Sequence, residues 1–422
     1  MKLNYKRTIL VGFAFFLISA FWQAYDTIVP LILNNKFGMN QTNTGVIMAL
    51  DNIFAVFMLP IFGNLSDRVN FRFGRRTPFI VVGTVCAVIS FIIMGFVNSL
   101  ILFIIFLLLT LISMATFRSP AVALMPDVTI KPLRSKGNAI INLMGTLGGA
   151  IVLLSASIFK TSEEGKTDFT FYIIAVCGLM LVALAIFLAT VRENKWANEM
   201  RVLTEQLQCD QEETLNEGGK LSKGQLTSLI LLLASVALWF IGYNAITSRY
   251  SVYATDFLKL SYSTTLLIAN VAALIAFIPV GIIASKIGRR KSILIGIVIL
   301  LTSFVGASFI REGSSNIVMF ILFALAGIGW ATINVNSFPM VVELAKGSNV
   351  GKYTGYYYTA SMAAQIVTPV LSGALMDAIG WEVLFPYASA FVALAFVTML
   401  FVKHGDSKPI KKQGFEALDV ED

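Results

Sequence analysis

The chain is 422 residues long, 57% hydrophobic and only 13% charged, with a mean hydropathy of +0.78. A soluble domain carries about 25% charged residues, so this composition excludes a soluble or disordered chain and indicates one that enters lipid repeatedly. The net charge of +8 does not call for nucleic acid, because a surplus of Lys and Arg is what membrane proteins keep in their cytoplasmic loops.

Twelve apolar runs are predicted to span a bilayer, at roughly 8–33, 41–65, 77–97, 100–126, 136–159, 169–190, 225–253, 262–285, 291–310, 316–343, 351–377 and 382–402. Each approaches the ~20 residues that a membrane helix needs. The first run is too long for a signal-peptide core and lacks a small-residue cleavage site, so it reads as a retained helix. An even number of spans puts both termini on one side. With that side inside, 25 of the 32 Lys and Arg fall in cytoplasmic segments. Five lie outside (Lys36, Lys160, Lys166, Lys259 and Arg311), and Arg118 and Arg249 lie within spans. This asymmetry predicts a multi-pass cell-membrane protein with cytoplasmic termini. Three cysteines, Cys86, Cys177 and Cys209, are an odd number placed in apolar or cytoplasmic segments and argue against a disulfide framework.

Going along the chain, span one carries Trp22, Gln23 and, in its outer half, Asp26. Span two carries Asp51 and Asn52 near its middle. Arg118 lies in the inner half of span four. An ionisable side chain in a span costs about 2.5–3.5 kcal/mol on insertion scales, so each of these needs a reason. One reading is a static ion pair between helices. Two acids facing one base leave a carboxylate unmatched, however, and burial drives such a group to take up a proton or another cation. Asp26 and Asp51 are therefore the expected proton-coupling acids, with Arg118 exchanging partners between them. Sodium is the alternative ion, since carboxylate and Asn52 amide oxygens also suit it. Arg249, near the outer end of span seven, is expected to snorkel to the interface. Asp377 and Glu382 are expected to be external and solvated.

Between spans two and three, Gly63-Asn-Leu-Ser-Asp67-Arg68 runs into Arg72-Phe-Gly-Arg75-Arg76-Thr-Pro78. Gly63 permits close helix approach. Asp67 is placed to lie against a helix N-terminus or an arginine, a contact that could hold or release a gate. The longest polar stretch, Arg192 to Gly224, reads as a cytoplasmic linker, with Asn198 to Leu215 a candidate surface helix and no active site expected. It divides the chain into a six-helix bundle at 1–191, the linker at 192–224 and a second bundle at 225–403. A polar, loosely ordered tail at 404–422 carries the only histidine, His404.

The halves repeat. Gly63 to Arg68 followed by Gly74-Arg75-Arg76 recurs as Gly281 to Lys286 followed by Gly288-Arg289-Arg290. Ser285 stands where the first copy has Asp67. Pro120 to Asp127 is echoed by Pro339 to Glu343 at the equivalent place in the second half. Asp127 and Glu343 are thus expected to act with Gly63, Asp67, Arg68, Arg75 and Arg76 in gating.

These motifs resemble the signature of the major facilitator superfamily. More narrowly, Ser66-Asp67-Arg68 with Arg72 to Ile80 is similar to the sucrose/proton symporter branch of plants and of animal pigment-cell sugar carriers. That branch is akin to the glycoside–pentoside–hexuronide cation symporters. Ser119 to Asp127 is similar to a Pro-Cys-Arg-Ala-Leu-Leu-Ala-Asp segment of that branch, with Pro120 and Asp127 matching, Val122 in place of its arginine, and Arg118 one helical turn earlier. The resemblance implies an all-α membrane fold of twelve helices in two pseudo-symmetric bundles.

A sugar needs polar groups for its hydroxyls and an aromatic plate for its C–H face, near the midplane. Mid-span candidates are Trp22, Gln23, Asn52, Trp239, Tyr243, Asn244, Trp330, Asn334 and Gln365, with Tyr356, Tyr357 and Tyr358 as further aromatics; for each aromatic the plainer role is packing. The expected function is proton-coupled symport of a sugar, a disaccharide or glycoside such as sucrose or maltose, by a monomer in the lipid bilayer. An exporter of apolar or cationic compounds is the alternative, faintly favoured by Gly145, Gly148 and Gly149 in span five. Nothing resembles a nucleophile–base set, a metal-ligand cluster or a phosphate loop, so no enzyme, cofactor or metal site is expected.

Overall fold

A computed structural model describes residues 4–69, 71–129, 134–208, 221–344 and 350–406. Hydrocarbon offers backbone N–H and C=O groups no partner, so an apolar chain crossing it closes its hydrogen bonds within each segment as helix. The first half contains α1 (Tyr5–Leu31), α2 (Gln41–Arg68), α3 (Thr77–Phe96), α4 (Leu100–Asp127), α5 (Arg134–Ile158) and α6 (Thr170–Thr190). After α7 (Glu193–Gln208), the second half contains α8 (Lys223–Val252), α9 (Tyr262–Ile287), α10 (Arg289–Ala307), α11 (Asn316–Glu343), α12 (Val350–Ile379) and α13 (Leu384–Leu400). Eleven of these are apolar and long enough to cross a bilayer, and α9, 26 residues long with an apolar Tyr262–Phe277, is the twelfth. Their boundaries lie within a few residues of the predicted spans.

Polar side chains set the helix starts. Asn4 accepts from Arg7 N at 3.1 Å and Asn40 from Asn43 N at 2.9 Å, while Ser222 and Gln225 form a reciprocal capping box at α8. The two halves also end their first helices alike, since α1 and α8 each finish in one π-helical turn, Ile32–Lys36 and Tyr253–Phe257.

Within the first half, α1 packs on α5 and α6, α3 on α4 and α6, and α2 on α4. In the second, α8 packs on α12 and α13, α10 on α11 and α13, and α9 on α11. The halves meet where α2 crosses α12, α5 crosses α9 and α1 meets α8. The α5–α9 contact is the repeat's counterpart of α2–α12. Span-five glycines serve this packing. A Cβ on Gly148 would stand 2.7 Å from the Phe16 carbonyl oxygen of α1, and one on Gly145 2.7 Å from Ser19 Oγ. That is the use of small residues expected at a lipid-embedded helix contact.

Two faces of the bundle are defined by the chain ends: the termini face, with the starts of α1 and α8, and the far face, with their ends. At the far face the halves are fastened together. Ser157 Oγ lies 3.0 Å from Ser263 Oγ and Thr161 Oγ1 2.5 Å from the Tyr262 hydroxyl, with a Lys259–Glu164 ion pair beside them. At the termini face, the arginine turns that follow α2 and α9 are bonded to acids of their own side of the repeat.

Two expectations change. The linker helix begins at Glu193 rather than Asn198 and is described as far as Gln208; residues 209–220, which include Cys209 and part of the expected helix, lie outside the described residues. It is tied to α1 by an Arg7–Glu199 ion pair at 2.5 Å, with Arg7 also over the Trp196 ring. The tail is packed as far as Asp406, with His404 Nδ1 2.9 Å from Ser228 Oγ and Lys403 N donating to the same hydroxyl at 3.3 Å.

Gly148→Ala is expected to lower the thermal unfolding midpoint of the detergent-solubilised protein, because α1 and α5 must separate to admit the methyl. Gly178→Ala, where nothing lies within 4 Å of the added carbon, should leave it unchanged.

Candidate functional site

Asp26 and Gln23 on α1, Asp51 and Asn52 on α2, and Arg118 on α4 are all half-buried. Arg118 is within electrostatic reach of Asp51, Asp26 and, across the divide between the halves, the Tyr358 hydroxyl of α12. Asp26 is likewise within reach of Asp51 and Arg118, and of the Tyr243 hydroxyl on α8. The three predicted charges therefore share one locus facing the second half. Among the described residues they form no ion pair. Asp51 accepts from its neighbour Asn52 Nδ2 at 2.7 Å, and the Arg118 guanidinium stands 5.3 Å from the centroid of the Trp22 ring. A cation over an indole gains about 0.5–2 kcal/mol, which is less than a close carboxylate would offer it in a dry site.

From the second half, Tyr243 and Trp330 stack in parallel, centroids 3.6 Å apart and planes 1° off, with Phe240 edge-on to Trp330 at 5.3 Å. Asn270 of α9 donates to Gln23 Oε1 at 3.2 Å and so closes a hydrogen bond between the halves. Three further amides turn their NH₂ groups onto their own helices: Asn244 to the Phe240 carbonyl (2.7 Å), Asn334 to the Trp330 carbonyl (3.3 Å) and Gln365 to the Ser361 carbonyl (3.2 Å). Their side-chain oxygens have no partner among the described residues and remain available as acceptors.

Trp239 departs from the expected set. It is 0% exposed and packs in the core, one turn from Gly242, whose added Cβ would stand 2.8 Å from the Ala388 carbonyl oxygen of α13. Its full burial makes it a packing residue. Tyr357 is buried with its hydroxyl 3.1 Å from Ser337 Oγ, whereas Tyr358 is half-exposed and faces Arg118. Asn270 and Phe240 were missed in the sequence, Asn270 because a single amide in an apolar helix gives no local sign of a partner 247 positions away.

At the termini face the repeated arginine turns are fastened within each half. Arg76 is almost fully buried and reaches Ser66, Asp67 and, at 2.9 Å, Asp127; Arg75 adds a 3.3 Å contact to Asp127. Gly63, which would place a Cβ 2.7 Å from Ser119 Oγ, lets α2 approach α4 there. Arg68 instead points to Asn64 on its own helix at 3.0 Å. Glu193, 4% exposed, closes the turn: its carboxylate accepts from Arg75 N (2.6 Å), Arg76 N (2.8 Å), Thr77 N (2.8 Å) and Thr77 Oγ1 (2.7 Å), and so caps α3. Gly74, at φ +124°, leaves room where a side chain would strike that carboxylate. The second half repeats the device. Asp406 accepts from Arg289 N at 2.7 Å beside Gly288, and Glu343 pairs with Arg289. Neither Glu193 nor Asp406 was singled out from the sequence, since both lie in segments read as linker and tail.

At the far face Arg249 and Asp377 depart from expectation, and Glu382 does not. Arg249 is fully buried rather than snorkelling, and Asp377, although exposed, hydrogen-bonds the start of α2. Glu382 remains at the surface beside Arg311 at 3.3 Å.

The sequence profile of the Major Facilitator Superfamily matches residues 11–306 and 262–419. The chain belongs to this superfamily. It is similar along its whole length to an uncharacterised MFS-type transporter of Methanocaldococcus jannaschii, 23% identical over 94% of this chain and 95% of that one. A probable nitrate transporter of Staphylococcus epidermidis is 25% identical over 44% of this chain and 46% of its own. Among solved structures, the inward-open xylose transporter of E. coli superposes with a TM-score of 0.72, covering 98% of this chain and 100% of that one at 15% identity, which is a likeness of fold. This superfamily member is therefore a secondary transporter and not an enzyme.

Glu193→Gln is expected to cost about 1–2 kcal/mol by weakening the cap on α3, read as a fall of a few degrees in the thermal midpoint. An unchanged midpoint would show that the turn is held by Asp127 and Asp67 alone.

Proposed function

We propose that this protein is a proton-coupled symporter of a sugar, a disaccharide or glycoside, working by alternating access between six-helix units 1–191 and 225–403. The observation that carries this reading is the locus shared by Asp26, Asp51 and Arg118, three half-buried charges within membrane spans and without an ion pair among the described residues, set against the other half of the molecule. A carboxylate in such a place binds a proton reversibly, and the guanidinium stabilises whichever carboxylate remains ionised. The Tyr243–Trp330 stack supplies a flat apolar plate, and Gln23, Asn52, Asn244, Asn334 and Gln365 supply amide oxygens and nitrogens for hydroxyl groups.

The basic loops favour cytoplasmic termini in the cell membrane, so the far face, where the halves are fastened to each other, is external. In the outward state, Asp67 and Asp127 with Arg75, Arg76 and Glu343 hold the termini face shut. Sodium is the second reading of the coupling ion: with Asn52 Nδ2 donating to Asp51 at 2.7 Å, the oxygen of the same amide is left as a further oxygen ligand near that carboxylate. A nitrate-like anion fits poorly where two carboxylates outnumber one guanidinium.

Purified protein in proteoliposomes should take up labelled sucrose or maltose saturably when a proton gradient is imposed, and lose accumulation when it is collapsed; a sodium gradient replacing it would assign the other ion. Asp51→Asn should abolish accumulation while permitting exchange. Dye efflux without sugar uptake would overturn the substrate assignment, and accumulation by Asp51→Asn would remove that residue from coupling. Asp67→Ala should lower turnover several-fold with little change in substrate affinity, measured as initial rate against binding in the same vesicles.

A further inference from the structure

Helix α2 starts with a cap that is incomplete within its own half. Asn40 accepts from Asn43 N, which leaves Gln41 N and Thr42 N at the positive end of the helix dipole. Both are taken by Asp377 of α12, at 3.0 and 2.7 Å, and Thr42 Oγ1 adds a third bond to the same carboxylate. Beside it lies Arg249 of α8, 0% exposed and without a carboxylate in contact. Its Nη2 donates to the carbonyl oxygens of Gln41 and Pro369, both at 2.6 Å, and Nη1 to Gln41 Oε1 at 3.2 Å, while Nε has no partner. Two glycines make room for that guanidinium. A Cβ on Gly45 would run into Pro369 and Arg249, and one on Gly373 would come 2.5 Å from Arg249 and 2.7 Å from the Gln41 carbonyl carbon.

We infer that Asp377 and Arg249 form the latch that holds the far face closed during the transport cycle. Every bond from Asp377 to α2, and every bond from Arg249 to Gln41, joins the second half to the first, so these bonds exist only while that face is shut. Opening would leave Gln41 N and Thr42 N without the Asp377 carboxylate, only Asn40 still capping α2, and would leave Arg249 with the Pro369 carbonyl alone. Charge-assisted hydrogen bonds of this kind exceed the α5–α9 hydroxyl contacts in strength. The Lys259–Glu164 pair beside those hydroxyls is solvent-exposed and so contributes little. The α2–α12 crossing therefore carries the latch, and its repeat counterpart carries a weaker seam. This inference needs only that the molecule alternates between states, whichever solute it moves.

The test is a distance measurement. Spin labels at Thr167→Cys and Glu312→Cys, on exposed far-face loops of opposite halves, would be placed in protein whose native cysteines are replaced by serine. The protein is then reconstituted in nanodiscs without substrate or gradient. Asp377→Asn should shift the ratio of short to long distances roughly tenfold toward long ones, a change of about 1.4 kcal/mol. Gly45→Ala should shift it the same way by sterics, leaving both latch side chains intact, and decides the matter if Asp377→Asn does not purify in folded form. An unchanged distribution in either folded variant overturns the inference. Because no solute is present, that outcome would leave the transport reading untouched, and failed sugar uptake would leave the latch untouched.

Discussion

A half-buried guanidinium within electrostatic reach of two carboxylates, and paired with neither, is the constraint on which this structure depends. Each such group costs several kcal/mol to bury. The cost is tolerable only if the charges compensate one another and if water reaches them for part of the time. Both conditions require a seam through the protein interior, and the two-half construction provides one. Asp26, Asp51 and Arg118 come from α1, α2 and α4, and besides Tyr25 of α1 they have two electrostatic partners, Tyr243 and Tyr358, in the second half.

The two ends of the seam are fastened on different principles. At the far face, hydroxyl, amide and charged groups join one half to the other. At the termini face, the arginine turns are satisfied inside their own halves by Asp127, Glu193, Glu343 and Asp406. Rigid-body rocking needs this division, because each half has to keep its shape while contacts between the halves are exchanged. Close glycine contacts such as Gly148 on α1 supply that stiffness without polar bonds.

Much of this was legible from residue order alone. Apolar length located all twelve spans, and the cost of burying charge singled out Asp26, Asp51 and Arg118. The repeat placed Asp127 and Glu343 beside arginines. Facing was not legible: helices apolar all round carry little periodic signal, so Trp239 and Tyr243, four positions apart, could not be told apart as packing and lining residues. Partners distant in sequence were also hidden. Arg249 read as an interfacial cation because nothing local shows that Gln41 and Pro369 converge on it. Glu193 looked like ordinary linker polarity because the turn it caps lies more than a hundred positions earlier.

Glu193 follows α6 by three residues and Asp406 follows α13 by six, and each reaches back to the arginine turn of its own half. Each half thus carries the acid that closes its loop just past its own last helix, so neither turn borrows its fastening from the other half and the stretch after Glu193 is not needed for it.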